Sequence, residues 1–290
     1  MSSRPTPSKL PAPPAPRIRP PTPNDDNLGV FARGTEPVID RFENRAHDIA
    51  EELRELEDKL SRCMSTLTMH YQPIVHAATR ERFGYEALLR ATDKSLPHPG
   101  AILDAAERLE RIPSLGRAVR GQVARTVAAT PPERGVVFVN LHLLDLYDKQ
   151  LSSAFAPLTK VSSRIVLEIT ERTSLEGQAD VRYRVQELRE LGFKIAIDDL
   201  GGGHARMGTF SPLDFDFVKL DMSLVRDMDK HPMKQRLVRS IIELCREHST
   251  KVIGEGVETE AEAKVLLELG CDLLQGYLIA KPALPFADPL

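Results

Sequence analysis

Long apolar runs are missing from this chain, and so is any excess of one charge. No stretch approaches the roughly 18 apolar residues of a membrane span, so no membrane partner is expected. The formal net charge is -3, which argues against a coat for duplex DNA or RNA and against a basic membrane-surface protein. It also means that an anionic substrate would have to be held by something local. Cysteine is scarce: Cys63, Cys245 and Cys271 are far apart and form no CxxC pair, so free thiols in a reducing compartment are expected. The N-terminus is basic but has no hydrophobic core of a signal peptide. These absences together lead us to expect a cytoplasmic protein. No GxGxxG or Walker-type loop follows the first strand-like run, which lowers an open doubly wound sheet among the possible folds.

Proline, in contrast, is concentrated. Nine of the 22 prolines fall by Pro23, and residues 1–38 read as a disordered arm with polyproline II character. The arm is either a partner-binding segment or an unstructured tail. Residues 39–64 change character. Phe42, Ala46, Ile49, Leu53, Leu56 and Leu60 recur at alternating spacings of four and three, and Cys63 extends the series. That seam suits a short coiled coil, and equally an amphipathic helix packed on its own domain.

From Thr68 onward, strand-like runs alternate with helical patterns. The runs are MHYQPIV (69–75), RFGYEALL (82–89), GVVFVNL (135–141), RIVLEIT (164–170), FKIAIDD (193–199), FDFVKLD (215–221), KVIGEGV (251–257) and DLLQGYL (272–278). VRYRVQELRELG (181–192) closes on a glycine stop signal, and TEAEAKVLLELG (259–270) opens with a Thr259/Glu262 capping box. Eight strands alternating with helices predict an α/β fold, a (β/α)8 TIM-type barrel over residues 65–290. The first two runs are too close for a crossover helix, so the barrel is expected to start irregularly, with an antiparallel pair.

Most runs carry a polar residue at or near the C-terminal end: Glu86, Asn140, Glu168, Asp198 with Asp199, Lys219, Glu255 and Gln275. A single strand-end Asp is commonly a helix cap. Seven consistent placements converge on the face where barrels of this kind carry their sites. So many carboxylates on one rim repel one another unless cations neutralise them. An oxygen-rich set without His or Cys suits hard divalent ions, Mg²⁺ or Mn²⁺. Asp198 and Asp199 could divide between two such ions, with Asp198 shared, an arrangement suited to in-line phosphoryl displacement by water.

The segments YQPIV (71–75), YEALLR (85–90), FVNL (138–141), LEITE (167–171), IDDLG (197–201), VKLD (218–221), GEGVET (254–259) and QGYL (275–278) together resemble the EAL domain family of cyclic-di-GMP phosphodiesterases, over about residues 68–285. The resemblance implies metal-dependent hydrolysis of one phosphodiester bond of cyclic di-GMP to linear pGpG, with two divalent cations as cofactors. It implies that Glu86, Asn140, Glu168 and Asp198 hold the first ion, and that Asp198, Asp199 and Glu255 surround the second. Lys219 matches a lysine beside the nucleophilic water, as orienting group or base, and a lysine beside cations has its pKa depressed. Gln275 matches a position near that water. Gln72, Leu88 and Arg90 match substrate contacts, Arg90 as a forked phosphate donor. Glu171 and Glu258 match supporting carboxylates, Glu171 at the loop that links substrate to dimerisation in the family, and a homodimer is expected.

Blander roles stand beside these. Arg90 could be a surface ion-pair partner and Gln72 a polar residue of the barrel floor. Phe138 and Tyr277 read as core, His70, His76 and His142 as structural or exposed, and Asp221 as an anchor of the rim. The chain also departs from the family where the loop reads F-G-T-G-Y-S-S. Here it is Leu200-Gly201-Gly202-Gly203-His204-Ala205-Arg206, and Ala91 stands where the family often has Trp. The departures raise two alternatives: a cyclic-di-GMP receptor with little or no turnover, and an interaction module working through the arm and the heptad helix. No cyclase motif of the GGDEF type precedes the domain.

Overall fold

The computed structural model describes residues 38–170, 179–201, 215–284 and 286. It divides the chain into two units, Met1–Asp48 and Ile49–Leu290. The expected proline-rich arm lies outside the described residues.

Seven α-helices and eight strands are described: α1 Val38–Ser65, β1 Leu67–His76, β2 Arg82–Ala91, α2 Pro99–Arg108, α3 Ile112–Ala129, β3 Val136–Leu141, β4 Ile165–Thr170, α4 Ala179–Glu190, β5 Lys194–Leu200, β6 Phe217–Leu220, α5 Met222–Val225, α6 Pro232–Glu247, β7 Lys251–Gly254, α7 Glu260–Leu269 and β8 Leu273–Leu274. The strands close into a barrel in sequence order. Strand β1 runs antiparallel to both β2 and β8, and the remaining neighbours are parallel. The irregular start read from the short spacing is therefore present: five residues separate β1 from β2, too few for a crossover helix.

Local signals explain where the helices stop and start. Thr259 caps α7 and Glu262 returns the bond, forming the capping box. Gly270 then ends the helix at φ 89°, and Gly192 follows α4 at φ 91°; a side chain would be strained in this left-handed region.

The barrel floor is apolar. Ile74, Phe138, Val166, Ala196, Phe217, Ile253 and Leu273 form one buried cluster, with one residue from each of β1 and β3–β8. Phe138 packs edge-on against Phe217 at 5.1 Å between ring centres. Side chains two apart on a strand share a face. The residue two positions beyond each floor member of β3–β8 is thus carried toward the same axis, one layer nearer the mouth. Those residues are Asn140, Glu168, Asp198, Lys219, Glu255 and Gln275. On the reversed β1 the count runs backward, from Ile74 to Gln72. The outer layer packs helices on strands through two larger clusters, in which Val123 and Val127 of α3 meet Val137 and Leu167, and Val238 of α6 and Leu266 of α7 meet Val218 and Val252.

The seam of α1 divides. Leu60 and Cys63 are buried against Ile102, Ala105, Ile112 and Leu115 of α2 and α3, with Leu56 packed alongside. Leu53 is half-buried and Ile49 is 49% exposed. The lower half of the seam therefore serves its own domain, because α2 and α3 offer it an apolar surface.

Candidate active site

At the barrel mouth the polar layer converges on Lys219. Its Nζ lies 2.7 Å from Glu168 Oε1, 2.7 Å from Glu255 Oε1, 3.2 Å from Asp198 Oδ1 and 3.5 Å from Glu86 Oε2. The lysine is 1% exposed. A chain of amides fixes Glu86 from the other side. Asn140 Nδ2 donates to its Oε1 at 2.9 Å and Gln275 Nε2 donates to its Oε2 at 2.6 Å. Gln275 Nε2 also donates to Gln72 Oε1 at 3.1 Å, and Gln72 Nε2 donates to the carbonyl of Ala280 at 3.0 Å. Gln72 is thus both a polar residue of the barrel interior and a link to Glu86.

Charge in this cluster is one-sided. Burial works against the Lys219 ammonium, but Glu168, Glu255, Glu86 and Asp198 outweigh it and hold its pKa well above the ordinary lysine value. The protein's own groups thus raise the lysine, whereas a depressed value is expected only beside bound cations. Burial pushes Glu168 well above the carboxylate range, aided by the charges of Glu86 and Asp198 against the pull of Lys219. Burial likewise raises Glu255, to about 8, with Lys219 opposing and Asp198 and Glu86 adding to it. Glu86 goes down: burial resists its charge, but Lys219 and the hydrogen bonds from Gln275 and Asn140 prevail.

Donor atoms suited to divalent ions are present. Asp198, Asp199 and Glu255 each offer a carboxylate oxygen, all within 4.8 Å of one another. Among the described residues, neither oxygen of Glu168 has a hydrogen-bond donor in good geometry, nor has Asp198 Oδ1, although the Lys219 ammonium lies 2.7 Å from Glu168 Oε1 and 3.2 Å from Asp198 Oδ1. Buried carboxylate oxygens are normally satisfied, so this surplus fits a site built for hard cations. The backbone contributes too. Asp199 has φ 62° and β5 shifts register between Ile197 and Leu200.

Beside the mouth lies a cleft of about 560 Å³, in the usual range for small-molecule sites. Leu88, Arg90 and Asn140 line it, with Leu103 and Glu107 of α2, and His142 beyond β3. Arg90 donates from its Nη1 to the carbonyl of Leu89, 2.7 Å away, on the cleft wall.

Other expected residues sit elsewhere. Glu258, three residues past Glu255, is exposed and pairs with Arg226 through both carboxylate oxygens. Asp221 caps α5, accepting from the Ser223 N–H at 2.9 Å. Phe138 is core, as expected, but Tyr277 is not: it is 56% exposed with Lys281 over its ring. His142 caps the turn Leu143–Tyr147 and its Nε2 lies 3.1 Å from Glu107 Oε1. Glu171 and positions 202–206 of the altered loop lie outside the described residues.

The sequence reading missed one network. Buried Arg120 of α3 donates to Asp145 at 2.6 Å and to Asp148 at 2.6 Å, and Arg117 clasps Asp148 from the other side. Asp145 also accepts from the His142 N–H. The network pins the segment that directly follows Asn140. Its signal was an arginine on the apolar face of α3, between Leu115 and Val123.

The comparisons agree with this geometry. The family described as the EAL domain matches residues 53–282. A probable cyclic di-GMP phosphodiesterase of Escherichia coli, PdeA, is 33% identical over 234 residues, 77% of this chain and 31% of the relative. The structure of the MucR phosphodiesterase of Pseudomonas aeruginosa in complex with c-di-GMP superposes with a TM-score of 0.67 at 29% identity, covering 75% of this chain and 97% of that one. The Klebsiella pneumoniae BlrP1 complex with manganese and cyclic di-GMP gives 0.66 at 26% identity, over 75% and 56% of the two chains. The chain spans about a third of the length of the first curated relatives it matches. Since the match runs from the last turns of α1 through all eight strands and takes in every residue of the Lys219 cluster, the chain belongs to the EAL domain family.

Proposed function

We propose that this chain hydrolyses one phosphodiester bond of cyclic di-GMP, giving linear pGpG, with the help of two divalent cations, Mg²⁺ or Mn²⁺. The observation that carries the reading is the intact acid cluster at the barrel mouth, with Asp198, Asp199 and Glu255 converging within 4.8 Å. Glu86, Asn140, Glu168 and Asp198 would hold one ion, and Asp198, Asp199 and Glu255 the other. When bound, such a pair supplies an activated water and stabilises the oxygens of an in-line displacement.

The chain's own groups do the rest. Arg90 offers a forked donor to a phosphate oxygen, and Leu88 gives an apolar contact on the cleft wall. Gln72 and Gln275 keep Glu86 oriented through their hydrogen bonds. Lys219 places a positive charge beside the reacting phosphate and orients the attacking water. In the net reaction the water oxygen joins phosphorus, the bond to one sugar oxygen breaks, and that oxygen ends with a proton. Glu258 and Glu171 are proposed as supporting residues around the neighbouring loops.

A receptor with little turnover is the second reading. It is favoured by the loop sequence, where Gly202 and His204 replace the family's Thr and Tyr. Incubating the purified chain with cyclic di-GMP and Mg²⁺ or Mn²⁺ separates the two. Formation of pGpG supports hydrolysis, and tight binding with no product supports the receptor. We also propose a homodimer in the cytoplasm. Among the described residues no helix is long and apolar enough to cross a membrane.

A further inference from the structure

Lys219 touches one carboxylate from each of β2, β4 and β5 and one at the end of β7, with its ammonium out of contact with solvent. The oxygens it meets belong to the residues that would ligate the divalent ions. Two of them, Glu168 Oε1 and Asp198 Oδ1, receive its charge but no hydrogen bond in good geometry. Lys219 therefore neutralises the cluster without saturating it. We propose that Lys219 is an internal counter-cation that assembles the acid cluster and competes with the divalent ions for it, so that it sets their affinity. This rests on the two-cation reading above and adds to it a role independent of chemistry on the substrate.

Three buried carboxylates and the half-buried Glu255 repel one another, and removing their shared ammonium leaves them uncompensated. An ammonium held among the same oxygens also repels an incoming dication and withholds part of their charge. The residue that organises the ligands thus lowers their grip on the ions. A neutral replacement should reverse both effects at once, loosening the protein and tightening the ions.

The test is Mn²⁺ binding to the full chain, followed by electron paramagnetic resonance without substrate, beside thermal melts in chelator and in saturating Mn²⁺. Lys219→Met should bind Mn²⁺ at least about tenfold more tightly than the parent. In chelator it should melt lower by about 5 °C or more, and saturating Mn²⁺ should narrow that gap. If Lys219→Met does not fold in chelator, Lys219→Gln, which keeps donors and drops the charge, takes its place. Equal or weaker Mn²⁺ binding by the variant overturns the proposed competition, and an unchanged melt in chelator overturns the assembly role. If neither parent nor variant binds Mn²⁺, the two-cation reading falls, and this inference with it.

Discussion

Asp198 and Asp199 are adjacent on one strand, yet both bring a carboxylate oxygen to Glu255. Neighbouring residues of a regular strand point to opposite faces. Here the positive φ of Asp199 and the shift in register after Ile197 break the alternation. Asn and Asp tolerate this left-handed backbone better than other side chains. Asp199→Asn should therefore keep the turn and lose the charge, whereas Asp199→Val should also strain the backbone. In chelator, Asp199→Asn is expected to melt within about 2 °C of the parent and Asp199→Val several degrees lower. Equal melts would separate the turn from the residue type.

Glu86 is held by Lys219, Asn140 and Gln275 at once, and none of these contacts belongs to the apolar core. Glu86→Ala should lower turnover more than about a hundredfold, since even supporting residues of metal sites cost 10–100-fold. The circular dichroism spectrum should be unchanged. Hydrolysis at the parent rate would remove Glu86 from the site.

Activity should vanish in EDTA and return with Mg²⁺ or Mn²⁺, with Zn²⁺ a poor substitute for this oxygen-only set. Persistent pGpG formation after prolonged chelation would exclude the proposed cofactors.

Arg120 should matter for stability. It is buried with its two carboxylate partners, and breaking one side of such a network costs about 3–5 kcal/mol. Arg120→Ala should show that loss in urea melts at pH 7. Burial resists the Asp148 charge, but Arg117, the Gln150 N–H and Arg120 overcome it and depress its pKa below the ordinary 3.8. A depressed carboxylate stabilises the fold above its unfolded pKa, and that stabilisation fades as pH falls through the folded value. The gap between parent and variant should accordingly shrink below about pH 4. A gap that stays constant down to pH 2 would separate Arg120 from the Asp148 charge.

The three thiols should be inert in the folded chain. All are buried, and burial is the main force raising each pKa, with Cys245 pushed up to about 11 and Cys271 to about 12. Only the thiolate reacts. Iodoacetamide at pH 8 should leave Cys63, Cys245 and Cys271 unmodified, and urea should expose all of them. Rapid native labelling of Cys271 would contradict its burial between Val252 and Leu273.

If the homodimer forms through α1, its contact falls on the upper seam, because Leu60 and Cys63 are already committed to the barrel unit. Ile49→Lys with Leu53→Lys should weaken the dimer in light scattering and leave the melting temperature unchanged. An intact dimer would move the contact to another surface.

The sequence made the barrel legible because its strands are apolar on both faces, and because the polar residues recur two positions past the floor. Asn140 after Phe138 and Glu168 after Val166 carry that rule plainly. Thr259 and Glu262 were equally readable, since a capping box is local. Arg120 was not, because its partners lie 25 and 28 residues away and periodicity does not reveal pairing. The α1 seam was half-readable: its spacing gives an apolar stripe but not which surface covers it. Tyr277 reads as core from its apolar neighbours, yet it sits past the end of β8 and is 56% exposed.

The reversed first strand has a consequence for how the domain could receive a signal. Because β1 runs opposite to its neighbours, its first residues lie at the rim where the other strands end, and the last turn of α1 delivers the chain there. That turn packs on Ile112 and Leu115, two residues that also line the cleft beside Arg90. Packed interiors transmit displacement instead of absorbing it. A push or twist applied to the helix end would thus arrive at the cleft as a change in wall position.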